Sequence, residues 1–328
     1  MRKLLQKIFK NISYSVFLKI HGKIEGIIQA DNDNRIKINT IDVEKILKYK
    51  VYKIIDGRLY TDRIHDTAVI LDKKIIEGPS FQHRYFKDSQ MYNSQANDNI
   101  VFEKGTPRKI KKLNGITLSL LTGGGGNESY WHWLFDVLPR LFLCSKTIKL
   151  NDVDFFLLPN LSKKFQIETL NYLNIPQSKR LSSEKFRHIT TKDLIVTDHP
   201  VVVSGNASVD NNNQPAWIAK WLRDSFIKPN IVTEKQGENK IYIDRSIETN
   251  KKPQRTIANE DDVKKELVKN NFTPVKLHNI SFKEQVNLFY NAKCVVGLHG
   301  AGFANLVFCK PGTKVVELRS PTSGDSIK

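Results

Sequence analysis

The residues best placed to bind a ligand lie in a glycine-rich turn between two apolar segments. Glycine lacks a side chain, so backbone amides in such a turn can come close to a bound anion. The helix predicted after the turn adds unpaired amides and the positive end of its dipole. The turn therefore predicts a phosphate site. Its residues, with their neighbours, are Gly297, His299, Gly300, Ala301, Gly302 and Asn305.

Three polar side chains around this turn could complete the site. His299 and Asn305 offer hydrogen-bond donors, and Glu317 ends the next apolar segment. Open α/β sheets bind ligands at the carboxyl ends of their strands, where a carboxylate suits the diol of a ribose. The alternative is an ordinary strand-to-helix turn in which His299 caps the backbone, because such turns are common in α/β folds.

A helix is predicted from about residue 127 to residue 145. Its apolar residues recur at three- and four-residue spacing and define a core face. Pro139 lies within it and predicts a kink or an early end near Val137. The residues of the core face are Trp131, Leu134, Phe135, Leu138, Leu141 and Phe142.

The opposite face of this helix carries polar residues at successive steps of four. His132 and Asp136 can touch at this spacing, so the carboxylate can orient the imidazole, and Arg140 follows one turn later. The alternative is a structural role, which a buried pair of His and Asp usually has. Four glycines at 123–126 precede the helix, at a strand-to-helix corner where α/β domains present reactive groups. This position favours a functional role for the pair.

Strands and helices alternate along most of the chain, which predicts parallel sheets with helices on both faces. A polar crossing after residue 199 separates two such domains. We therefore predict an N-terminal extension (1–110), a first domain (111–214) and a second domain (215–328). The predicted elements are strands at 116–121, 154–158, 194–197, 240–244 and 273–277, and helices at 162–173, 259–270 and 281–291.

Two arginines could bind a diphosphate at the glycine turn. Arg245 follows the strand at 241–243, and Arg255 lies in the next loop. A guanidinium group can form paired hydrogen bonds with phosphate oxygens. Arginines are also common in surface loops, and a solvated position is the alternative for each.

The first hundred residues differ from the rest. Residues 1–20 predict a basic amphipathic helix, which could lie on an anionic membrane or pack on its own domain. Asp56-Gly57 predicts a hairpin over residues 51–60. Residues 68–71 predict a further strand.

Composition narrows the class of partner. The 328 residues carry a net charge of +18 and no apolar run long enough to span a bilayer. The basic run at 104–112 lacks interleaved aromatic residues, so we expect no nucleic-acid partner. An odd number of cysteines among apolar neighbours (Cys144, Cys294, Cys309), with no visible signal peptide, predicts a reducing, cytoplasmic location.

Four motifs, in this order, resemble glycosyltransferase family 61, and the resemblance extends from about Ile116 to Leu318. It implies a GT-B-like α/β fold with two Rossmann-like domains facing across a cleft, preceded here by a helix and β-hairpin extension. The motifs are NESYWHWLFDVLPR (127–140), IYIDR (241–245), FKEQ (282–285) and GLHGAGFANLVF (297–308).

The resemblance implies an inverting enzyme that uses a nucleotide-sugar donor, here a UDP-sugar, without an essential metal or cofactor. Inverting transfer needs a base for the acceptor hydroxyl and stabilisation of the leaving diphosphate. We expect His132 to be the base and Asp136 to orient it; direct action of Asp136 is the alternative. The turn at 300–302 and Arg245 would stabilise the diphosphate. Asp152-Val153-Asp154 imitates a metal-binding Asp-x-Asp motif but opens a strand, so we interpret it as a turn.

By analogy with bacterial members, the acceptor is expected to be a glycan or lipid-linked glycan of capsule or another surface polysaccharide, made at the inner face of the membrane. Members of the family usually continue with further helix after the strand equivalent to 314–318, whereas a polar tail follows here. A degenerate, non-catalytic protein that binds nucleotide-sugar or polysaccharide is therefore the alternative function.

Overall fold

The computed structural model contains two compact units: Met1–Ser162 with Ile175–Ile218, and Lys163–Asn174 with Ala219–Lys328. Residues 163–174, which the sequence predicts in the first domain (111–214), belong to the second unit. The structure describes residues 2–44, 47–61, 67–80, 82–87, 90–94, 96–121, 129–202, 204, 209–210, 213–234, 237, 239–246 and 257–319. Predicted features outside these residues are the glycines at 123–126, Arg255 and the tail after Arg319.

Helices occur in both units, and the three helices predicted from periodicity after residue 160 are confirmed to within two residues. The described α-helices are α1 (Arg2–His21), α2 (Val101–Lys104), α3 (Tyr130–His132), α4 (Pro139–Ser145), α5 (Lys164–Tyr172), α6 (Ala216–Phe226), α7 (Glu260–Lys269) and α8 (Phe282–Tyr290). A π-helical turn spans Trp133–Val137, and 3₁₀ turns span Ala30–Asn32, Ala96–Asp98, Leu150–Asp152, Gln177–Lys179, Leu277–Asn279 and Ala301–Phe308.

Most described strands belong to one sheet in each unit, and β7 and β8 form a separate antiparallel pair. The strands are β1 (Gly26–Ile28), β2 (Ile36–Glu44), β3 (Leu47–Ile55), β4 (Arg58–Thr61), β5 (Thr67–Leu71), β6 (Lys74–Ile76), β7 (Gln82–Lys87), β8 (Gln90–Ser94), β9 (Lys111–Ser119), β10 (Phe155–Leu158), β11 (Arg180–Ser182), β12 (His188–Thr197), β13 (Asn239–Ile243), β14 (Phe272–Val275), β15 (Ala292–Leu298) and β16 (Lys314–Leu318).

The first unit is built on a mixed ten-stranded sheet. Its main order is β1-β6-β5-β4-β12-β9-β10-β11, with β3 joined to β12 and β2 joined to β3. Strands β12, β9, β10 and β11 are parallel, as predicted, whereas β3 and β4 run antiparallel to β12. Strands of the predicted N-terminal extension (1–110) and of the predicted first domain (111–214) therefore belong to the same sheet.

The hairpin predicted around Asp56-Gly57 is wrong. In the described pairing, β3 and β4 both pair with β12, one after the other, and not with each other. The Asp56 amide donates to the Lys192 carbonyl, and the Thr191 amide donates to the Gly57 carbonyl. Asp56 adopts a left-handed conformation (φ 53°), so the dipeptide interrupts one line of pairing instead of reversing the chain. The antiparallel pair β2–β3 is the hairpin-like feature of this region.

The second unit contains a four-stranded, fully parallel sheet in the order β14-β13-β15-β16. Helices α7 and α8 connect successive strands, as the alternation of the sequence predicted. A capping box fixes the start of α8, because Ser281 and Glu284 bond to each other's backbone amides. The buried rings of Phe226, Phe282 and Phe308 meet edge to face and form part of this unit's core.

Candidate functional site

The predicted ligand-binding residues Arg245, His299 and Glu317 lie at one edge of the second unit's sheet. In its register Ile243 pairs with Gly297, and Gly297 pairs with Glu317. Arg245 follows β13 at the edge where His299 follows β15. The carboxyl ends of parallel strands lie at the same edge of a sheet, so residues distant in sequence come together here.

Arg245 is held against the glycine turn. Its Nη1 donates a hydrogen bond to the His299 carbonyl oxygen at 2.6 Å. A Cβ atom at Gly300 would overlap with the same guanidinium group. The backbone at Gly300 is extended, which any residue can adopt, so glycine provides room here for the guanidinium group and is not needed for its dihedral freedom. The close approach places a cation directly beside the turn.

His299 and Glu317 form a pair at the same edge. The imidazole Nδ1 lies 2.6 Å from Oε1 of Glu317, and the His299 amide donates to the Leu318 carbonyl oxygen at 2.9 Å. Both side chains are partly buried. The carboxylate predicted to bind a ribose therefore also orients the imidazole, and its ligand contact stays a prediction.

The helix that follows the turn is a 3₁₀ helix, and its residues take two different positions. Ala301, its first residue, is exposed. Asn305 is fully buried. The Asn305 amide donates to Gln285 Oε1 at 3.0 Å and to the Gly302 carbonyl at 3.2 Å. The bond to Gln285 attaches the helix to α8, which gives Asn305 a supporting role that sequence reasoning missed. Its ligand contact stays a prediction.

A π-helical turn shapes the polar group of the first unit. The Leu138 amide donates to the Trp133 carbonyl, five residues earlier, at 3.0 Å. Pro139 follows and has no amide to continue the α-helical bonding, which accounts for the irregularity. The irregularity predicted near Val137 takes the form of this π-helical turn, and the chain continues as α4 instead of ending. Single π-helical turns often occur at functional sites because they reposition the side chains around them.

The polar face of this helix is buried, so the predicted division into a core face and a polar face is incomplete. His132, Asp136 and Arg140 are 4%, 2% and 4% exposed. The end of β12 covers this side, because Arg140 Nη1 donates to the carbonyl and hydroxyl oxygens of Thr197 at 3.2 and 3.1 Å. Two residues of the predicted core face, Trp131 and Phe142, are only half-buried, whereas Trp133 is fully buried.

A carboxylate lies between two imidazoles at the centre of this group. His132 Nδ1 is 2.6 Å from Asp136 Oδ2, and His199 Nε2 is 4.0 Å from the same oxygen. Sequence reasoning missed His199, which follows β12. Arg245 was predicted because it is a polar residue just after a strand, and the same reasoning would also have selected His199. A buried imidazole oriented by a carboxylate can take a proton from a hydroxyl group.

Burial changes the acidity of the charged neighbours. It lowers the pKa of Arg140 to about 10, although the nearby Asp136 carboxylate favours the charged form. Burial also raises the pKa of Asp198, which accepts hydrogen bonds from the Lys50 amide and the Tyr52 hydroxyl. Water is largely excluded around this group, so charges there interact strongly.

Among the described residues, no group of three His, Cys, Asp or Glu side chains could hold a metal ion, and no helix is long and apolar enough to cross a membrane. The second aspartate of Asp152-Val153-Asp154 accepts a hydrogen bond from the Ile116 amide at 2.8 Å. This contact supports our interpretation of that motif as a turn.

The two units define a mixed α/β protein with polar groups at the carboxyl ends of strands, which is where open α/β sheets bind ligands. The sequence from residue 130 to residue 316 matches the model of the family Glycosyltransferase 61, and this region is more than half of the chain. The chain therefore belongs to glycosyltransferase family 61, whose activity is glycosyl transfer. No curated protein matches the chain significantly.

Proposed function

We propose that this glycosyltransferase transfers a sugar from a UDP-sugar to a glycan acceptor with inversion at the anomeric carbon. The observation that carries the proposal is the Arg245 guanidinium group beside Gly300. A fixed cation next to backbone amides suits a leaving diphosphate, which gains negative charge as the bond to the sugar breaks. We assign His299 and residues 300–302 to the same diphosphate, and Glu317 to the ribose.

The acceptor is activated by His132 in this proposal. Asp136 holds Nδ1, so Nε2 takes the proton of the acceptor hydroxyl. The hydroxyl oxygen attacks the anomeric carbon from the face opposite the diphosphate, and the electron pair of the broken bond leaves with the diphosphate. Direct action of Asp136 as the base is the alternative, and burial does not separate the two, because His132 is 4% exposed and Asp136 is 2% exposed.

Family analogy supports further parts of the proposal. These are a GT-B arrangement, independence from metal ions, a cytoplasmic location and a role in capsule or another surface polysaccharide. Analogy is weaker than a site argument, so each part needs its own measurement. Transfer that persists in excess EDTA would support metal independence.

The experiment that tests the proposal is donor binding and hydrolysis across UDP-, GDP-, CMP- and dTDP-sugars. Arg245→Ala and His132→Ala are compared with the unchanged chain. Arg35→Ala is the matched control, because Arg35 also forms hydrogen bonds, here with Asp33 and Asp72 in the first unit. We expect Arg245→Ala to lose donor binding, His132→Ala to lose turnover only, and the control to keep both.

Two other outcomes would change the conclusion. Failure of every donor to bind would show that the glycine turn is an ordinary turn. Donor binding without hydrolysis or transfer by the unchanged chain, across a panel of glycan acceptors, would support the non-catalytic binding protein instead.

A further inference from the structure

The N-terminal helix α1 is attached to its unit by one side only. Tyr14 and Phe17 are half-buried on this side, and a Cβ atom at Gly105 would press on the Tyr14 ring. The Phe17 ring stacks on His21 with 5.6 Å between centroids, and His21 meets His188 edge to face at 5.1 Å. These contacts fix the rotation of the helix about its axis.

The opposite side of α1 is an apolar stripe that faces outward. Its residues recur at three- and four-residue spacing, the pattern of a face that is normally buried. Phe9 is 71% exposed and Ile20 is 63% exposed. The apolar stripe consists of Leu4, Leu5, Ile8, Phe9, Ile12, Val16 and Ile20, all exposed. Packing of this face on its own domain, which the sequence left open, is therefore ruled out for the described residues.

The charge of α1 selects the kind of partner. The helix contains Arg2, Lys3, Lys7, Lys10 and Lys19 and no acidic residue. Pairing of two copies through the apolar stripe would bring these cations together without a carboxylate to offset them. An anionic bilayer accepts both features, because its headgroups neutralise cations while its hydrocarbon receives apolar side chains.

We propose that the apolar stripe of α1 docks this protein on the surface of a bilayer that contains anionic lipid. The helix lies in the interface without crossing it, with the stripe toward the hydrocarbon and the long basic side chains reaching the headgroups. This docking is independent of the proposed donor and acceptor chemistry, since none of the residues assigned to that chemistry lies in α1.

The test measures partition of the full chain onto phosphatidylcholine vesicles with and without 30 mol% phosphatidylglycerol. We expect binding only with phosphatidylglycerol, and a weakening with added salt because the cations are exposed. Leu5→Ser with Phe9→Ser should reduce the partition coefficient at least tenfold. The matched control is Ile167→Ser with Val268→Ser, two exposed apolar residues of the second unit, which should leave partition unchanged.

A second pair of variants separates local charge from net charge. All four lysines in this comparison are exposed. Lys7→Gln with Lys10→Gln should weaken vesicle binding clearly more than Lys228→Gln with Lys265→Gln. Equal effects of the two pairs would overturn the proposal, because net charge alone would then explain the binding. Equal binding to both lipid compositions would also overturn it. So would a dimer in light scattering that Leu5→Ser with Phe9→Ser converts to a monomer, because the partner would then be a second copy.

Discussion

The Arg245 guanidinium group occupies the space that a side chain on Gly300 would need. Gly300→Ala should therefore displace Arg245 and break its bond to the His299 carbonyl. The displaced guanidinium group would lose its proposed hydrogen bond to the diphosphate, and a hydrogen bond of a charged group contributes about 1.5–3 kcal/mol. We expect the Kd for the donor to rise by about 10–100-fold, measured by calorimetry with a UDP-sugar.

The control for this prediction is Gly26→Ala in β1. A Cβ atom at Gly26 would meet nothing within 4 Å, so this variant should bind the donor normally. An unchanged Kd in Gly300→Ala, with the protein folded, would show that donor binding does not depend on this position of Arg245.

The two possible bases can be separated by kinetics. If His132 is the base, His132→Gln should reduce kcat by about 10²–10⁴-fold with little change in donor binding. Asp136→Ala should cause a smaller loss, because it removes the partner of Nδ1 at 2.6 Å but leaves the imidazole that takes the proton. A larger loss in Asp136→Ala than in His132→Gln would assign the base to Asp136.

His199 is expected to act through Asp136 as a positioning residue. Its Nε2 lies 4.0 Å from the Asp136 carboxylate, so His199→Gln should let the carboxylate shift away from His132. We expect kcat to fall about tenfold, with the KM for the donor unchanged. The exposed His278 provides the control variant His278→Gln. A proportional loss of kcat and of folded protein would mean that His199 serves stability alone.

Acid should destabilise the first unit through His188. Burial, together with the nearby Arg58 and His21, lowers the pKa of this imidazole to about 3, although the bond to the Arg108 carbonyl favours the charged form. Below the unfolded pKa of 6.5 the unfolded chain binds the proton that the folded chain does not. Stability is thus complete above about pH 6.5 and falls as the pH drops toward 3, by at most about 1.4 kcal/mol per pH unit.

The measurement is urea unfolding at pH 7, 6, 5 and 4 for the unchanged chain and for His188→Gln. The free energy of unfolding of the variant should vary less with pH between 6.5 and 4, whatever its stability at pH 7. His278→Gln should follow the unchanged chain, since His278 is exposed in the folded protein. Parallel pH profiles for all three would contradict the assignment.

Local features of the sequence predicted the second unit well. The strands and helices of this unit are found within a few residues of the predicted bounds, because apolar periodicity and caps such as Ser281 with Glu284 act over neighbouring turns. The positions of Arg245 and His299 after their strands were also predictable. Four short motifs in a fixed order could indicate the family because they combine these local features.

Contacts between distant segments decided the rest. Asp56-Gly57 does not form a hairpin turn but separates β3 from β4, because both strands pair with β12. The end of β12 also covers the polar face of the helical segment at 130–145, and His199, which follows β12, lies 4.0 Å from the Asp136 carboxylate. Periodicity shows which residues of a helix share a face, but the packing of the other elements decides whether that face is covered. For that reason the sequence alone determined that α1 is amphipathic, and only the tertiary structure decided that its apolar stripe faces outward.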